Sequence, residues 1–245
     1  MSGQTKPWGV SRVGGSFDGT GQKAWIIDSG IDLDHPDLNV DVANSASFIA
    51  EESADDIIGH GTYVSGLLAA KNNSRGIVGV AAGAEVVSVK VIAQNDSGSV
   101  SDVVAGVNYV SSLATSNDII NMSVGGPAST AIDNEITNAA NAGLRFAIAA
   151  GNNSDNANNY SPARVEHSNV WTVSAFDDTD TFSSFSNYGN PPIEYGGPGE
   201  DIRSLLIGGG SGMGFAGSGS EDGTSYAAPH IAGLLLTSPN GLTDD

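Results

Sequence analysis

Ser225 stands at the beginning of a segment whose composition favours a helix, and a hydroxyl at such a place can do chemistry. It lies in EDGTSYAAPHIAG (Glu221–Gly233), where small and apolar residues follow the serine. A serine hydroxyl is a weak nucleophile near neutral pH, so it needs an adjacent base. The start of a helix offers free N–H groups and the positive end of its dipole, which suit a developing negative charge. Taken alone, however, a serine at a helix start is most often an N-cap.

The base would have to be one of four histidines, His35, His60, His167 and His230. His35 lies in the turn-like segment DHPDL, and His167 lies in a polar loop. His230 falls inside the helix predicted after Ser225, and a helix turns residues at that spacing roughly 140° apart. His60 is flanked by glycines in DIIGHGTYVSG, at the start of another predicted helix, which leaves its ring reachable. His60 is therefore the best candidate for the base.

Asp28 follows the apolar run of KAWIIDSGI (Lys23–Ile31), which predicts a buried strand that ends in a loop. In open α/β sheets, sites form beyond the carboxyl ends of the strands. An aspartate there can orient a histidine ring and stabilise its charged form. A lone aspartate after a strand is usually a cap, so the case for Asp28 depends on its combination with His60 and Ser225.

Alternating strand and helix patterns surround these residues. The predicted strands are Lys23–Ile31, Glu85–Ile92, Asp118–Val124, Arg145–Ala150 and Val170–Phe176, and the predicted helices are Gly61–Lys71, Ser101–Ala114, Thr130–Ala142 and Ser225–Leu236. This alternation predicts an α/β fold with a mainly parallel sheet. We expect residues 1–245 to form a single domain, with Gly208–Gly219 as a long flexible loop.

The order of Asp28, His60 and Ser225, each within its own glycine-containing motif, resembles the subtilisin-like serine proteases, or subtilases. The matching stretches are IIDSGID, GHGTYVSG and GTSYAAPHIAG, with AIAAGN at Ala147–Asn152 and NMSVGG at Asn121–Gly126. The resemblance runs from PWGVSRV to the helix that ends near Leu236. It implies a subtilisin-like three-layer α/β fold, with a mainly parallel central sheet, helices on both faces and one catalytic domain.

The resemblance also implies a role for each residue. His60 would accept the proton of Ser225 and return it to the leaving amine, while Asp28 orients the ring. The side chain of Asn152 and the backbone N–H of Ser225 would stabilise the oxyanion that forms when a carbonyl is attacked. The implied activity is that of a serine endopeptidase, which hydrolyses peptide bonds through an acyl-enzyme.

Protein or peptide substrates would bind in an extended form, as an added strand. By resemblance, one wall of the binding cleft is Ser123–Val124–Gly125, the other is Ala149–Ala150–Gly151, and Gly98 and Ser99 form the opposite rim. These small residues suggest an apolar first pocket without a buried countercharge, and hence broad specificity for hydrophobic residues. The floor would lie near Tyr160–Arg164, where Arg164 is better explained by a surface salt bridge.

A structural calcium ion is the cofactor that the resemblance implies. The ligands would be the side-chain oxygens of Gln4, Asp37 and Asn73 with the carbonyl oxygens of Lys71, Arg75 and Ile77, all oxygen donors of the kind that Ca²⁺ prefers. The alternative is a turn that binds no ion. The acidic cluster of Glu51, Glu52, Asp55 and Asp56 is expected to be solvated surface.

Composition narrows the possible partners. Nine basic and 28 acidic residues give a net charge of −19, which disfavours nucleic acid and anionic membranes as partners. No segment approaches the ~18 unbroken apolar residues of a membrane span. The absence of cysteine excludes disulfides and thiol chemistry. We expect a monomer without nucleic-acid or membrane partners.

The first residues, MSGQTKPWGV, lack the basic and apolar stretches of a secretion signal. The resemblance nevertheless implies a secreted, extracellular enzyme in its mature form, and an intracellular member is the alternative. The end of the chain, GLTDD, has the pattern of a helix start with Thr243 as N-cap. We expect a short C-terminus compared with the family.

Two residues depart from the family pattern. Tyr63 replaces a histidine, with little expected effect on chemistry. Tyr226 replaces the methionine that commonly follows the nucleophile and that is open to oxidation. We therefore expect activity to survive peroxide, unless Met122 or Met213 is the target.

Two other functions stay open. One is a binding module without turnover, and the other is a peptide ligase or processing enzyme. The masses of the products would distinguish them.

Overall fold

A computed structural model describes residues 3–212 and 222–238 of the chain. Within these ranges five α-helices form: α1 (Trp8–Arg12), α2 (His60–Ala69), α3 (Val100–Leu113), α4 (Thr130–Asn141) and α5 (Thr224–Thr237). Two short 3₁₀ turns lie at Val42–Asn44 and Ala157–Asn159.

The described strands are β1 (Phe17–Asp18), β2 (Lys23–Asp28), β3 (Asn39–Val40), β4 (Ala46–Ser47), β5 (Ala81–Ala82), β6 (Glu85–Lys90), β7 (Ile119–Met122), β8 (Gly126–Pro127), β9 (Phe146–Ala149), β10 (Tyr160–Ser161), β11 (Val170–Phe176), β12 (Ile193–Pro198), β13 (Ser204–Leu206) and β14 (Gly210–Gly212). The main sheet has the order β12-β11-β9-β7-β2-β6-β3, and β4 also pairs with β6. Every pairing within it is parallel.

Hydrophobic cores lie on both faces of this sheet because alternate residues of each strand point to opposite sides. Ala24 and Ile26 of β2 pack in the core that holds α2 and α5. Trp25 and Ile27 of the same strand pack in the core that holds α3 and α4. Helices therefore cover both faces, which is the usual arrangement for a parallel sheet whose strands are buried.

The carboxyl ends of the central strands bring distant segments to one edge of the sheet. β2 ends at Asp28, and the segments Ser123–Gly125 and Ala150–Asn152 follow β7 and β9. These three strands are consecutive neighbours in the sheet. The topology therefore gathers the predicted site residues where sites form in open α/β sheets.

The α/β class, the parallel sheet and the two helical layers are confirmed. The predicted strands and long helices are present, with ends shifted by a few residues. Patterns too short to stand out, such as α1, escaped prediction.

The expectation of a flexible loop over Gly208–Gly219 is wrong for its first part. β14 pairs antiparallel with β13, so residues 204–212 form a hairpin. Gly208 and Gly209, with φ of 78° and 83°, supply the left-handed turn between the two strands. The rest of that loop and the helix start predicted at Thr243 lie outside the described residues. Within residues 3–212 and 222–238, no helix has the length and apolarity needed to cross a membrane.

Candidate active site

Asp28 and His60 form a hydrogen-bonded pair at the carboxyl edge of the sheet. His60 Nδ1 lies 2.7 Å from Asp28 Oδ1, which also accepts a 2.7 Å bond from the backbone N–H of Ser29. The Asp28 side chain is 1% exposed and the His60 side chain is 20% exposed. Donation from Nδ1 to the carboxylate leaves Nε2 as the nitrogen that can accept a proton.

Glycines on both sides of His60 explain how its helix reaches the pair. Gly59 has a φ of 103°, a left-handed conformation that turns the chain into α2. A side chain at Gly61 would overlap the carbonyl oxygen of Gly30, so only glycine allows α2 to begin against the turn that follows β2. The sequence GHG is therefore a packing requirement of the Asp28–His60 pair.

The electrostatic surroundings of His60 favour its charged form. Burial lowers the pKa of the imidazole, but the charge of Asp28 and the hydrogen bond to it raise that pKa. The negative charges of Asp56 and Asp96 act in the same direction. The net result is a pKa above the usual 6.5. The surroundings therefore stabilise the imidazolium that forms when a nucleophile gives up its proton.

The expectation that Asp56 is solvated surface is wrong. Its side chain is buried, and Oδ1 accepts bonds from Ser29 Oγ at 3.0 Å and Gly59 N at 2.9 Å. Oδ2 accepts from Thr62 N at 2.9 Å and from Thr62 Oγ1 at 2.7 Å. Burial raises the pKa of this carboxyl and its hydrogen bonds lower it, with a net rise. Asp56 thus ties the first turn of α2, and with it His60, to the loop after Asp28.

Ser225 lies in the first turn of α5, directly across from the segment that follows β7. Its hydroxyl donates to the carbonyl oxygen of Ser123 at 3.1 Å. In return, Ser123 Oγ donates to the carbonyl oxygen of Ser225 at 2.7 Å and accepts from Asn121 Nδ2 at 2.9 Å. These bonds hold the start of α5 against the sheet.

The side chain of Asn152 is oriented by Thr224. Its Oδ1 accepts from Thr224 N at 2.9 Å and from Thr224 Oγ1 at 2.8 Å. Thr224 Oγ1 also accepts from Gly151 N at 3.0 Å. Because the amide oxygen is held by the threonine, the NH₂ group is the end of the Asn152 amide that can donate within the cleft that Asn152 and Ser225 both line.

A cleft of about 580 Å³ contains these groups. Its lining includes all four residues for which catalytic roles were predicted, namely Asp28, His60, Asn152 and Ser225. The two predicted walls, Ser123–Val124–Gly125 and Ala149–Ala150–Gly151, also line it. The structure therefore brings these ten residues together.

Gly98 and Ser99 lie elsewhere, in a neighbouring shallow depression. Ser99 is the N-cap of α3, and it shares a capping box with Asp102. Ile92 and Asp96, which sequence reasoning missed, line the cleft, and the role of Gly98 and Ser99 in substrate binding stays a prediction. The spacing of Ser99 and Asp102 is itself a capping signal that could have assigned this serine to the helix.

The floor of the cleft includes Tyr160, Ser161 and Ala163. Arg164, the one cation considered for this region, is paired with Asp133 through a 2.7 Å bond from Nε. The salt-bridge interpretation of Arg164 therefore agrees with its geometry, and the floor keeps its neutral character.

Hydrogen bonds connect the residues predicted to hold calcium. Gln4 Nε2 donates to the carbonyl oxygens of Lys71 at 2.7 Å and Ile77 at 3.0 Å. Asn73 Nδ2 lies 2.5 Å from Asp37 Oδ1, and Asn73 Oδ1 accepts from Arg75 N at 2.8 Å.

Asp37 supplies the negative charge among these residues. Its Oδ2 is buried and has no hydrogen-bond partner within residues 3–212 and 222–238. Burial raises the pKa of Asp37, although the bond from Asn73 and the nearby cations oppose the rise. No group of three or more His, Cys, Asp or Glu side chains able to hold a metal occurs in the described part of the chain.

The surroundings of His230 do not suit a base for Ser225. It is fully buried in α5, and its Nδ1 bonds to the carbonyl oxygen of Tyr226 at 2.7 Å. The backbone of Gly9 in α1 packs so closely that a Cβ there would lie 2.5 Å from His230 Nε2. Burial lowers the pKa of His230 to about 4, so the ring is neutral near pH 7.

Tyr226 and Tyr63, the two residues that depart from the family pattern, pack next to the site: Tyr226 contacts His60, and Tyr63 contacts Tyr226. The ring of Tyr226 lies 5.7 Å from that of His60 and 5.2 Å from that of Tyr63. Tyr63 is buried and donates its hydroxyl to the carbonyl oxygen of Ile202 at 2.5 Å. Met122 is fully buried, and Met213 lies outside the described residues.

The sequence and the fold of this chain are similar to those of known proteins in one family. The model of the subtilase family, Peptidase_S8, matches residues 19–238. The thermostable alkaline protease of Halalkalibacterium halodurans is 40% identical over 240 residues, covering 94% of this chain and 62% of its own length. Alkaline serine exoprotease A of Vibrio alginolyticus is 36% identical over 239 residues, covering 93% of this chain and 42% of its own length.

A solved structure of a cold-adapted subtilisin-like serine proteinase superimposes with a TM-score of 0.80 at 35% sequence identity. The match covers 96% of this chain and 86% of that one. The chain therefore belongs to the subtilase family and has its fold. It spans 42% and 62% of the length of the two relatives from Vibrio and Halalkalibacterium.

Proposed function

We propose that this chain is a serine endopeptidase that cleaves peptide bonds through an acyl-enzyme. The observation that carries the proposal is the 2.7 Å bond between His60 Nδ1 and Asp28 Oδ1 in the cleft that also holds Ser225 and Asn152. A base, an orienting carboxylate, a nucleophile at a helix start and an aimed amide are the parts that acyl transfer requires.

Acylation begins when the Ser225 hydroxyl turns from the carbonyl of Ser123 towards His60. Nε2 of His60 takes its proton as Oγ attacks the scissile carbonyl carbon, and Asp28 stabilises the imidazolium. The bond to the amine then breaks, and the imidazolium gives its proton to the leaving nitrogen. In the second half, water attacks the ester and His60 takes a proton from that water. The bond between the acyl carbon and Ser225 Oγ then breaks, the imidazolium returns the proton to Oγ, and the carboxylic acid product leaves.

The oxyanion of each tetrahedral intermediate is bound by two donors. The backbone N–H of Ser225 lies in the first turn of α5, where helical N–H groups have no internal partner. The NH₂ of Asn152 is aimed by the two bonds that hold its amide oxygen to Thr224. Donors fixed before the reaction need no reorganisation when the charge develops.

The substrate class is an extended peptide with an apolar residue in the first pocket. The walls and floor of that pocket present small or neutral side chains, and Arg164 is engaged with Asp133. Because the described residues of the pocket include no cation to pair with an acidic side chain, burial of apolar area dominates the selection. Broad specificity for hydrophobic residues follows.

The proposal is tested by labelling with a fluorophosphonate, which reacts with activated serines, with Ser225→Ala as the control. We expect the label on Ser225, and we expect Ser225→Ala to lose hydrolysis of peptides by roughly 10⁴-fold or more. A folded protein that takes no label is the result expected of a binding module, and it overturns the proposal. Mass spectrometry of the products separates hydrolysis from ligation.

A structural calcium ion is proposed at Gln4, Asp37 and the loop 71–77. The donor set fits Ca²⁺, because carbonyl oxygens of Lys71 and Ile77 converge on the Gln4 amide and Asp37 Oδ2 is buried without a partner among the described residues. Rotation of the Gln4 and Asn73 amides would turn their oxygens towards the ion. The ion would stabilise the folded chain and take no part in the chemistry.

Chelation tests the calcium proposal. We expect EDTA to lower the melting temperature by several degrees and added Ca²⁺ to restore it. Asp37→Asn should remove that dependence, since it deletes the formal charge of the site. An unchanged melting temperature in EDTA contradicts the proposal.

We also propose that the enzyme acts as an extracellular monomer. A net charge of −19 supports the monomeric state, because like-charged copies repel each other. The extracellular location is supported by the resemblance to the subtilase family. Fractionation of the producing culture tests the location, and light scattering tests the oligomeric state.

A further inference from the structure

The charge in the cleft is one-sided. Among the described residues that line it, two are carboxylic acids, Asp28 and Asp96, and one is a histidine, His60, whereas lysine and arginine are absent. Asp28 is buried, and its Oδ1 is bonded to His60 Nδ1 and to the backbone N–H of Ser29, so its carboxylate is not accessible to a peptide side chain. Asp96 is exposed, and within residues 3–212 and 222–238 its carboxylate makes no hydrogen bond or ion pair. One uncompensated negative charge therefore faces the bound peptide.

The backbone fixes where this charge stands. Asp96 N donates to the carbonyl oxygen of Ala93 at 2.8 Å, and Ala93 N donates to that of Ser97 at 2.7 Å, which closes a tight turn on the rim. Asp96 has a φ of 60°, in the left-handed region that aspartate and asparagine tolerate better than most residues. The carboxylate is thus carried by a defined turn.

The field of Asp96 reaches the catalytic pair. Burial lowers the pKa of His60, whereas the charge of Asp28, its hydrogen bond, and the charges of Asp56 and Asp96 raise it. A cationic side chain that enters the cleft beside His60 would meet the same field. The attraction between opposite charges about 4 Å apart in water is roughly 1 kcal/mol, or about a fivefold effect.

We propose that Asp96 is a specificity-determining residue that favours peptides with lysine or arginine among the residues preceding the scissile bond and disfavours aspartate and glutamate there. The inference rests on the proposed peptidase function and adds a charge preference to it. The apolar first pocket and the acidic rim then act together: the pocket selects one residue by burial, and the rim selects a neighbour by charge.

The test compares peptides that share an apolar residue in the first pocket and carry lysine, norleucine or aspartate at each preceding position in turn. Norleucine matches the lysine stem without the charge. At low salt, we expect the native enzyme to prefer lysine over norleucine in kcat/KM, by roughly three- to tenfold at the position nearest the rim. That preference should shrink in ~1 M NaCl, where charges are screened within about 3 Å.

Asp96→Asn is the informative variant, because asparagine keeps the left-handed turn and removes the charge. Its ratio of kcat/KM for the lysine peptide to kcat/KM for the norleucine peptide should fall towards one. The ratio is the readout because the loss of a charge near His60 also changes the overall rate. Glu51→Gln is a matched control, since Glu51 is also exposed and left-handed, with a φ of 65°, but lies outside the cleft. It changes the net charge equally and should keep the preference.

The outcomes separate the two ideas. Equal lysine-to-norleucine ratios in the native enzyme and in Asp96→Asn overturn the role of Asp96 and leave the peptidase function standing. Loss of the preference in Glu51→Gln as well reduces the effect to net charge and also overturns it. If none of the peptides is cleaved, the peptidase function fails and the inference falls with it.

Discussion

The two sides of the cleft differ in charge: one carries carboxylates, and the other carries neutral polar groups. The side of the base carries three carboxylates, Asp28, Asp56 and Asp96, all of which influence the charge on His60. The side of the nucleophile carries amides, hydroxyls and backbone, with Asn152 and Thr224 locked to each other. Negative charge is useful where an imidazolium forms and harmful where an oxyanion forms. Under the proposed mechanism, this separation keeps the carboxylates of a strongly acidic chain away from the place where the oxyanion would form.

On the neutral side, we expect substitution of Asn152 to have the largest effect on catalysis. Asn152→Ala removes a preorganised donor to the oxyanion, so we expect kcat to fall by roughly 10²–10³ with little change in KM. Steady-state kinetics on a single peptide measure this. Asn153→Ala, the adjacent cleft residue, is the matched control and should stay close to the native rate. A small effect at Asn152 would mean that the oxyanion is bound elsewhere.

The charged side can be weakened at Asp56 without touching the Asp28–His60 bond. Asp56→Asn leaves buried donors around Gly59 and Thr62 poorly paired, so the free energy of unfolding should fall by about 1–3 kcal/mol. The loss of negative charge should also lower the pKa of His60. Because the base must be neutral, the acid limb of kcat/KM should move to lower pH.

Denaturant titration and a pH–rate profile measure these two effects. Asp55→Asn changes an exposed neighbour and should alter neither. An acid limb that stays in place in Asp56→Asn would show that this carboxylate acts only through packing.

The neutral side has a titratable group beneath it, His230. Its folded pKa is about 4, below the usual 6.5, so the unfolded chain binds the proton first. Stability from this histidine is present above pH 6.5 and is lost as the pH falls towards 4, by about 3 kcal/mol in full. His230→Asn does not titrate, so its stability should depend less steeply on pH in this window.

Chemical denaturation at several pH values gives the two slopes. The variant will be less stable at pH 7 because asparagine underfills the site against Gly9. The comparison is therefore between slopes and not between absolute values. Parallel slopes would show that His230 does not govern the acid sensitivity.

The smallest expected effect concerns oxidation. Tyr226 packs against His60 without a thioether, and Met122 is fully buried, so dilute peroxide should leave most of the activity. Tyr226→Met places a thioether next to His60, so this variant should lose activity in dilute peroxide. Equal, rapid inactivation of both proteins would point to Met213.

The neutral side was more predictable than the charged one, for a physical reason. The requirements for Ser225 and Asn152 are largely local, since each lies in a short motif of small residues. The burial of Asp56 comes from Ser29 and Thr62, of which Ser29 is distant in sequence, so composition alone indicated a surface acid. Asp96 was missed as a cleft residue because the position of a tight turn depends on tertiary contacts, and the substrate contacts of Gly98 and Ser99 stay a prediction.

The fold itself was easier to predict than these details. Alternating apolar runs report burial on both faces of a parallel sheet, and that signal extends over whole elements. The hairpin of β13 and β14 is rich in glycine and carries no such signal, so it was taken for a loop.

The place of Ser225 in the last described helix has a consequence for the order of events during synthesis. A ribosome completes Asp28, His60 and Asn152 well before α5 emerges. Until α5 docks on the sheet and Ser123 binds the start of the helix, the nucleophile has no position relative to the base. Parallel sheets with distant pairings also fold slowly. If the chain is the peptidase proposed above, it cannot cleave itself during the period when its unfolded segments would be the nearest substrate.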